Sequence, residues 1–132
     1  MMRAIIIVES LRGNAIPAEL ASLPRLKTYD HLLDTDQPIT ITELAVEDDD
    51  SLSVATILAR ALEPAKYYAH LVGNDALVIA FPHTVVRVER GDADALATAK
   101  KVGAIFAIPD DQMRFAEMFD DDHPDAPHRA AG

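Results

Sequence analysis

The sequence predicts an α+β fold: a two-layer sandwich in which two main helices lie on one face of a mixed, mostly antiparallel sheet. The first observation is the order of the patterns along the chain, which is strand, helix, three strands and helix. The second is the segment from Lys66 to Arg90, where three strand-like runs are separated by two short breaks. The third is the middle run, Ala76 to Phe81, which has no polar side chain and therefore belongs inside the sheet.

Two tight turns define the register of this three-stranded segment. Gly73-Asn74 is typical of a type II′ corner, because glycine accepts the positive φ of the first corner position. Pro82-His83 forms the second corner, since proline interrupts the apolar run. On this register His70 faces Leu77, and Phe81 faces Thr84.

The same register sorts the side chains of the three strands onto two faces. The first face carries Tyr68, His70, Val72, Leu77, Ile79, Phe81, Val86 and Val88, and we expect both helices to pack there. The second face is also mostly apolar: Tyr67, Ala69, Leu71, Val78, Ala80, Val85, Arg87 and Glu89. Because large uncovered apolar patches usually mark interfaces, the sequence predicts a homodimer packed partly through this face. The alternative is coverage by residues 10–37 or 110–119 of the same chain.

The first half of the chain supplies two more strands and a connection. The run from Arg3 to Glu9 is β-branched without alternation, as expected of a central strand. The stretch from Pro17 to Leu23 suits one or two helical turns, and Arg25 to Gln37 reads as a long connection that includes a short strand around residues 26–29. The strand from Pro38 to Val46 changes its apolar phase at Glu43, which suggests a bulge or a strand end.

The helices are predicted from their caps and their 3–4 spacing. The acidic run at residues 47–50 precedes the apolar positions of Leu52 to Leu62, as a helix N-terminus favours. Asp92 is the expected cap of the second helix, and Asp110 to Phe119 suits a short helix that packs on the body. A right-handed crossover through the first helix leads to a variant of the ferredoxin-like topology. We expect one domain over residues 1–119 and a flexible acidic tail over residues 120–132.

Composition excludes several classes of function. The chain has 132 residues with a net charge of −10, from 22 acidic and 12 basic side chains, so binding to nucleic acid or to an anionic membrane is not expected. It has no cysteine, which suits the cytoplasm and excludes thiol catalysis. Its five glycines are isolated, so no phosphate-binding loop is present and no cofactor is expected. A metal site is not expected either, although residues 47–51, His31, and His123 with His128 are weak alternatives.

Five side chains are candidate site residues, and each also has an ordinary structural interpretation. His70 and Tyr68 share one strand face, where a histidine serves either as a general base or as a core residue. Glu9 closes the first strand, a common position for a catalytic carboxylate. Arg12 and His83 are candidate ligand-binding residues, and His83 lies at a corner where a polar residue needs no special reason.

Two classes of function follow from these features. The first is a homo-oligomeric module that binds a small-molecule ligand or another protein without catalysis, and the absence of a catalytic motif favours it. The second is a small enzyme that uses His70 with Tyr68 or Glu9 for acid/base chemistry on a small organic substrate. The sequence names no ligand, substrate or pathway.

Overall fold

The structure is a computed structural model that describes residues 1–33, 37–63, 67–110 and 113–121. In these ranges, six strands and three α-helices form the framework, together with short 3₁₀ turns. The strands are β1 (Met2–Ile7), β2 (Arg25–Leu33), β3 (Gln37–Val46), β4 (Ala69–Val72), β5 (Ala76–Phe81) and β6 (Thr84–Glu89). The helices are α1 (Ser51–Ala61), α2 (Ala93–Ile105) and the short α3 (Met118–Asp121). The α+β class is therefore confirmed.

The six strands form one sheet in the order β2-β3-β1-β4-β5-β6. All the strand pairings in the described part of the chain are antiparallel, so the predicted mixed sheet is wrong. β3 and β4 do run in the same direction, because each is antiparallel to β1. The α1 connection is thus a crossover as expected, but β1 lies between the two strands that the crossover joins.

The predicted register is right for one hairpin and shifted for the other. β5 and β6 pair as expected around Pro82-His83, with Phe81 opposite Thr84. In the β4–β5 hairpin His70 lies opposite Ile79, not Leu77, because the Gly73 amide bonds to the Ala76 carbonyl and moves the corner by one residue. The partner of each β4 residue changes by two positions, for example from Leu77 to Ile79 for His70. Residues two positions apart point to the same side of a strand, so each side chain stays on its predicted face.

One face of the sheet is covered by α1. The helix presents buried apolar side chains to β4 and β5, and the 3₁₀ turns between β1 and β2 cover the neighbouring β1 and β3. The helix and turns contribute Leu11, Leu20, Val54, Ala55, Leu58, Ala59 and Leu62, and the sheet contributes Ala4, Ile6, Leu44, Leu71, Val78 and Ala80. We call this the α1 face.

The opposite face is covered by α2 and by the segment that follows it. α2 packs Ala99 against the sheet, and the stretch from Ile108 to Phe119 adds a second group of buried side chains: Met113, Phe115, Met118 and Phe119. The sheet contributes Ile5, Ile39, Ile41, Val72, Leu77, Ile79, Phe81 and Val88. We call this the α2 face. For residues 113–119 the predicted packing on the body is confirmed, although the α-helix there is shorter than expected.

The two helices therefore lie on opposite faces, and the predicted two-layer sandwich is wrong. An amphipathic pattern shows that a helix buries one stripe, but it does not show which face of a sheet receives that stripe. The ferredoxin-like variant rested on both helices sharing one face, so it loses its basis. The homodimer was inferred from a bare second face, and α1 of the same chain covers that face. Self-association stays a prediction that now needs other support.

Several local predictions also change in the structure. β2 is a nine-residue edge strand where a long connection was expected, and its bulge lies between Arg25 and Lys27. β3 runs without interruption through Glu43, so the predicted bulge there is wrong. Its phase change arises because its first half buries apolar side chains on the α2 face and its second half buries them on the α1 face. The predicted tail lies outside the described residues from residue 122 onward.

Candidate functional site

A group of charged side chains lies at one corner of the α2 face, where β1, β3 and β2 run side by side. Glu43 of β3 lies opposite Ile5 on β1 and opposite Lys27 on β2. Arg3, two residues before Ile5, projects from β1 on the same face because side chains alternate along a strand. We call Arg3, Lys27 and Glu43 the charged corner.

Glu43 is the unusual member of the corner because its carboxylate is almost wholly buried. The residue is 1 % exposed. Oε1 lies 3.4 Å from Nη1 of Arg3, and Oε2 lies 3.3 Å from Nζ of Lys27. Both distances exceed the ~2.7–2.9 Å of strong charge-assisted hydrogen bonds. Within the described residues, Oε2 accepts no hydrogen bond.

This arrangement leaves a buried carboxylate oxygen, Oε2 of Glu43, that can still accept hydrogen bonds. Removing a carboxylate from water costs several kcal/mol, and close hydrogen-bonded partners are what normally offset that cost. Contacts of 3.3–3.4 Å offset it only in part. The corner can therefore accept a hydrogen bond from a further donor at Oε2.

The two cations of the corner differ in how far they are exposed. The side chain of Arg3 is 25 % exposed and that of Lys27 is 55 % exposed. The Lys27 ammonium also lies 5.2 Å from the centre of the Tyr29 ring, within the range of a cation–π contact. Lys27 is thus the more exposed of the two cations that contact Glu43.

Two of the predicted candidates lie on the same face as the charged corner. His70 is on β4, and Tyr68 comes just before that strand. Ile5 pairs with Glu43 on one side and with His70 on the other, so the three residues form one row across the sheet. Two strand spacings place the Cα atoms of Glu43 and His70 about 10 Å apart. His70 is 3 % exposed.

Aromatic packing encloses the His70 side of this row. The Tyr68 ring lies 5.8 Å from the His70 ring and 5.3 Å from the Phe115 ring, the latter edge to face. The Tyr68 hydroxyl donates to the sulfur of Met118 at 3.9 Å. Tyr68 is thus half-buried against the α2-face core, and the burial of His70 keeps its ring away from bulk solvent.

Glu9, the predicted acid/base partner, lies elsewhere and is occupied. Its Oε1 accepts the backbone N–H of Thr40 at 2.7 Å, which ties the end of β1 to β3. In the β1–β3 register Thr40 lies about three residues beyond the row of His70, or about 10 Å along the strands. The structure therefore does not bring Glu9 and His70 together.

Arg12 and His83, the predicted ligand-binding residues, both meet the C-terminal end of α1. Nη2 of Arg12 donates to the carbonyl of Arg60 at 2.7 Å, and the backbone N–H of His83 donates to the carbonyl of Ala59 at 2.9 Å. His83 has a φ of 59° at an exposed corner. The end of α1 would otherwise leave carbonyl groups unpaired, so these contacts are explained by helix termination.

The sequence contained a signal for the charged corner that was interpreted as a strand irregularity. Ile39 and Ile41 alternate on one face of β3, and Glu43 occupies the next position of that alternation. A carboxylate in place of an apolar residue on a covered face is unusual, because buried acids need partners. Arg3 and Lys27 had no signal of their own, since their approach to Glu43 depends on the strand order.

Two surface grooves lie outside this corner. The first, of about 600 Å³, runs between the 3₁₀ turns and the α1 face of β3. Its lining consists of Val8, Ile16, Leu20, Ala21, Leu23, Arg25, Thr42 and Leu44. The second, of about 380 Å³, is polar and lies by the chain start and the β4–β5 corner.

In the described ranges, no three His, Cys, Asp or Glu side chains are grouped so that they could hold a metal ion. No helix in the same ranges is both long and apolar enough to cross a bilayer. No protein-family model, no curated protein and no solved structure matches the chain.

Proposed function

We propose that this chain is a small ligand-binding module that acts without catalysis, and that its site is the charged corner. The observation that carries the proposal is the buried Glu43 carboxylate, whose Oε2 accepts no hydrogen bond within the described residues. Ligand sites commonly combine an apolar lining with a few well-placed polar groups. The corner has that composition, because Ile5 and Ile41 flank the carboxylate on β1 and β3.

Two contacts argue against the alternative of a small acid/base enzyme. The Glu9 carboxylate accepts the backbone N–H of Thr40, and the buried His70 side chain packs beside the Tyr68 ring. A general base must lie within hydrogen-bond reach of the proton it removes, either directly or through one water molecule. The structure does not bring Glu9 and His70 within that reach of each other, so binding alone is the better-supported function.

The proposal is tested by mapping small-molecule binding onto the backbone by NMR. A panel of small polar metabolites is titrated into the ¹⁵N-labelled protein, and shifts are expected at residues 3–5, 27–29 and 41–43. Glu43→Gln should weaken binding of any such probe by about tenfold, the equivalent of one charge-assisted hydrogen bond. Glu89→Gln is the matched control, because Glu89 is an exposed strand carboxylate that pairs with Arg87. Shifts confined to other regions, or equal effects of the two variants, would overturn the proposal.

Self-association through the β2 edge is a second candidate. β2 ends the sheet, and a nine-residue edge strand offers a row of backbone groups to another strand. Leu26, which lies at the bulge of this edge, is among the few large apolar side chains that are exposed. The charges of Arg25 and Lys27 on the same strand are of the kind that keep an edge unpaired, which places this candidate second.

Light scattering after size exclusion tests the edge-paired homodimer. A dimer would have twice the chain mass of 14.4 kDa. If the edge mediates it, Leu26→Lys should shift the protein to the monomer mass, whereas Leu52→Lys, at an exposed position on α1, should not. A monomer at tens of micromolar for the unmodified chain would remove this candidate and leave the ligand-binding proposal intact.

A further inference from the structure

The chemistry of the charged corner also indicates the class of ligand. We propose that the corner binds the ammonium group of a small alkylamine, and that Lys27 occupies the ammonium position when no ligand is bound. This inference rests on the proposed function, because it names the ligand class for the same site. It makes Lys27 an internal occupant that a ligand displaces.

The position of the Lys27 ammonium shows what the corner recognises. Nζ lies between the buried Oε2 of Glu43, at 3.3 Å, and the face of the Tyr29 ring, at 5.2 Å from its centre. A carboxylate and an aromatic face are the two groups with which proteins recognise ammonium ions. An ammonium from another molecule would meet the same two groups.

Lys27 holds this position weakly enough to be displaced. Its contact with Oε2 is longer than a charge-assisted hydrogen bond, and more than half of its side chain is exposed. Ordering a lysine side chain also costs rotamer entropy, and Lys27 regains that entropy when it turns toward solvent. A ligand ammonium, with three donors, can approach Oε2 at normal hydrogen-bond length once Lys27 turns toward solvent.

The surroundings favour a cation with an apolar tail. Arg3 contacts the other carboxylate oxygen, Oε1, so Oε2 is left for the incoming group. Two buried apolar side chains lie beside these groups on the same face. Ile5 is opposite Glu43, and Ile41 is opposite Tyr29. The net charge of −10 attracts cations toward the whole molecule and repels anions.

The experiment is a chemical rescue with n-butylammonium chloride. Lys27→Ala removes the internal ammonium, which should lower the Tm and leave the subsite open. Adding n-butylammonium should raise the Tm of this variant in a saturable manner. The Kd of n-butylammonium for Lys27→Ala should be about tenfold lower than its Kd for the unmodified protein, because a competing ion pair has been removed. Lys27→Met, which keeps most of the apolar stem, is the second variant if the alanine variant does not fold.

Four controls make the result specific. Potassium chloride at the same ionic strength and n-butanol at the same concentration should not rescue the variant, since neither carries an ammonium group. Lys100→Ala removes an exposed lysine that lies 3.2 Å from Asp110, and it should not be rescued. Adding Glu43→Gln to Lys27→Ala should abolish the rescue.

Each outcome either supports or overturns the inference. Rescue by n-butylammonium alone, lost with Glu43→Gln, supports it. Equal rescue by potassium chloride, or rescue that survives Glu43→Gln, overturns it. Absence of rescue, while another probe still binds the corner in a manner that depends on Glu43, overturns the ligand class but retains the proposed function. If no probe depends on Glu43, both proposals fail together.

Discussion

The α1 face and the α2 face are covered by different kinds of structure and contain different buried polar groups. On the α1 face, one regular helix and a few tight turns cover a plain apolar surface, and buried Thr42 pairs its hydroxyl with Thr28. On the α2 face, α2 shares the cover with an irregular C-terminal segment, and the sheet carries the buried Glu43 and His70. The buried polar group named on the first face is uncharged and hydrogen-bonded. The second face contains ionisable groups that packing alone does not explain, and this is why both proposals lie there.

The largest expected effect tests whether α1 anchors its face. Leu58→Ala truncates a fully buried side chain that α1 packs against the sheet, and it should lower the free energy of unfolding by about 2–5 kcal/mol. Leu52→Ala on the same helix is the control, because Leu52 is 50 % exposed and should change stability by less than about 0.5 kcal/mol. Urea denaturation measures both. Similar losses for the two variants would contradict the described packing of α1.

A second variant tests how closely the α2 face is packed. A methyl group at Gly103 would collide with the Met113 sulfur and lie 3.2 Å from Cε1 of Phe81. Overpacking costs about 1–3 kcal/mol, against a helix gain of about 0.5–1 kcal/mol from replacing glycine. Gly103→Ala should therefore lower the free energy of unfolding by about 1 kcal/mol.

The reason for that loss is checked by a double-mutant cycle. Met113→Ala removes the sulfur that the new methyl group would meet, so the double variant should be more stable than the sum of the two single changes implies. Additive effects in urea denaturation would show that the Gly103 backbone does not lie against Met113.

The next variant examines the start of α2, where the cover of the second face begins. Oδ1 of Asp92 accepts the backbone N–H of Ala95 at 3.0 Å, as predicted for the cap. Asp92→Ala should cost about 1 kcal/mol of unfolding free energy. Asp92→Asn retains the acceptor and should be close to the unmodified protein. Hydrogen exchange should show faster opening of α2 than of α1 in the alanine variant only.

The smallest effect concerns the turn that leads into α1. The Met1 amino group lies 2.9 Å from Oδ1 of Asp48, and this hydrogen bond raises the pKa of the amine above its ordinary value. Because the folded pKa is raised, the associated stabilisation is present below the ordinary pKa and is lost as the pH rises through the raised pKa.

An NMR titration of the Met1 α-carbon measures this shift. Asp48→Ala should return the pKa of the amine toward its ordinary value, whereas Asp49→Ala should leave most of the shift in place. An unchanged pKa in the Asp48 variant would show that the amine does not contact this turn.

Sequence patterns predicted local structure better than they predicted the relation between elements. The β5–β6 hairpin was predicted in register because Pro82-His83 defines its corner, and Asp92 was identified as a cap from its position before an apolar repeat. β2 was largely missed because an exposed edge strand lacks the alternation that burial imposes. The faces occupied by α1 and α2 were not predicted, since that choice depends on how the connections cross the sheet.

The candidate site was predicted only in part for the same reason. His70 and Tyr68 were placed on the correct face by alternation along one strand. The charged corner joins β1, β2 and β3, whose order across the sheet does not follow their order in the chain. A contact between Arg3 and Glu43, 40 residues apart, is not visible in any local pattern.

The central place of β1 has a consequence for how the molecule assembles. β1 precedes the other described strands in the chain, yet its partners β3 and β4 come later. Arg3 therefore pairs with Val72 only after the chain between them has closed into a long loop. Closing that loop costs chain entropy before any pairing is gained, so the β2–β3 and β4–β5–β6 hairpins are expected to form before β1 joins them. Until the N-terminal strand is inserted, the nascent protein consists of two unjoined half-sheets with open edges, which is the stage at which it is most exposed to aggregation.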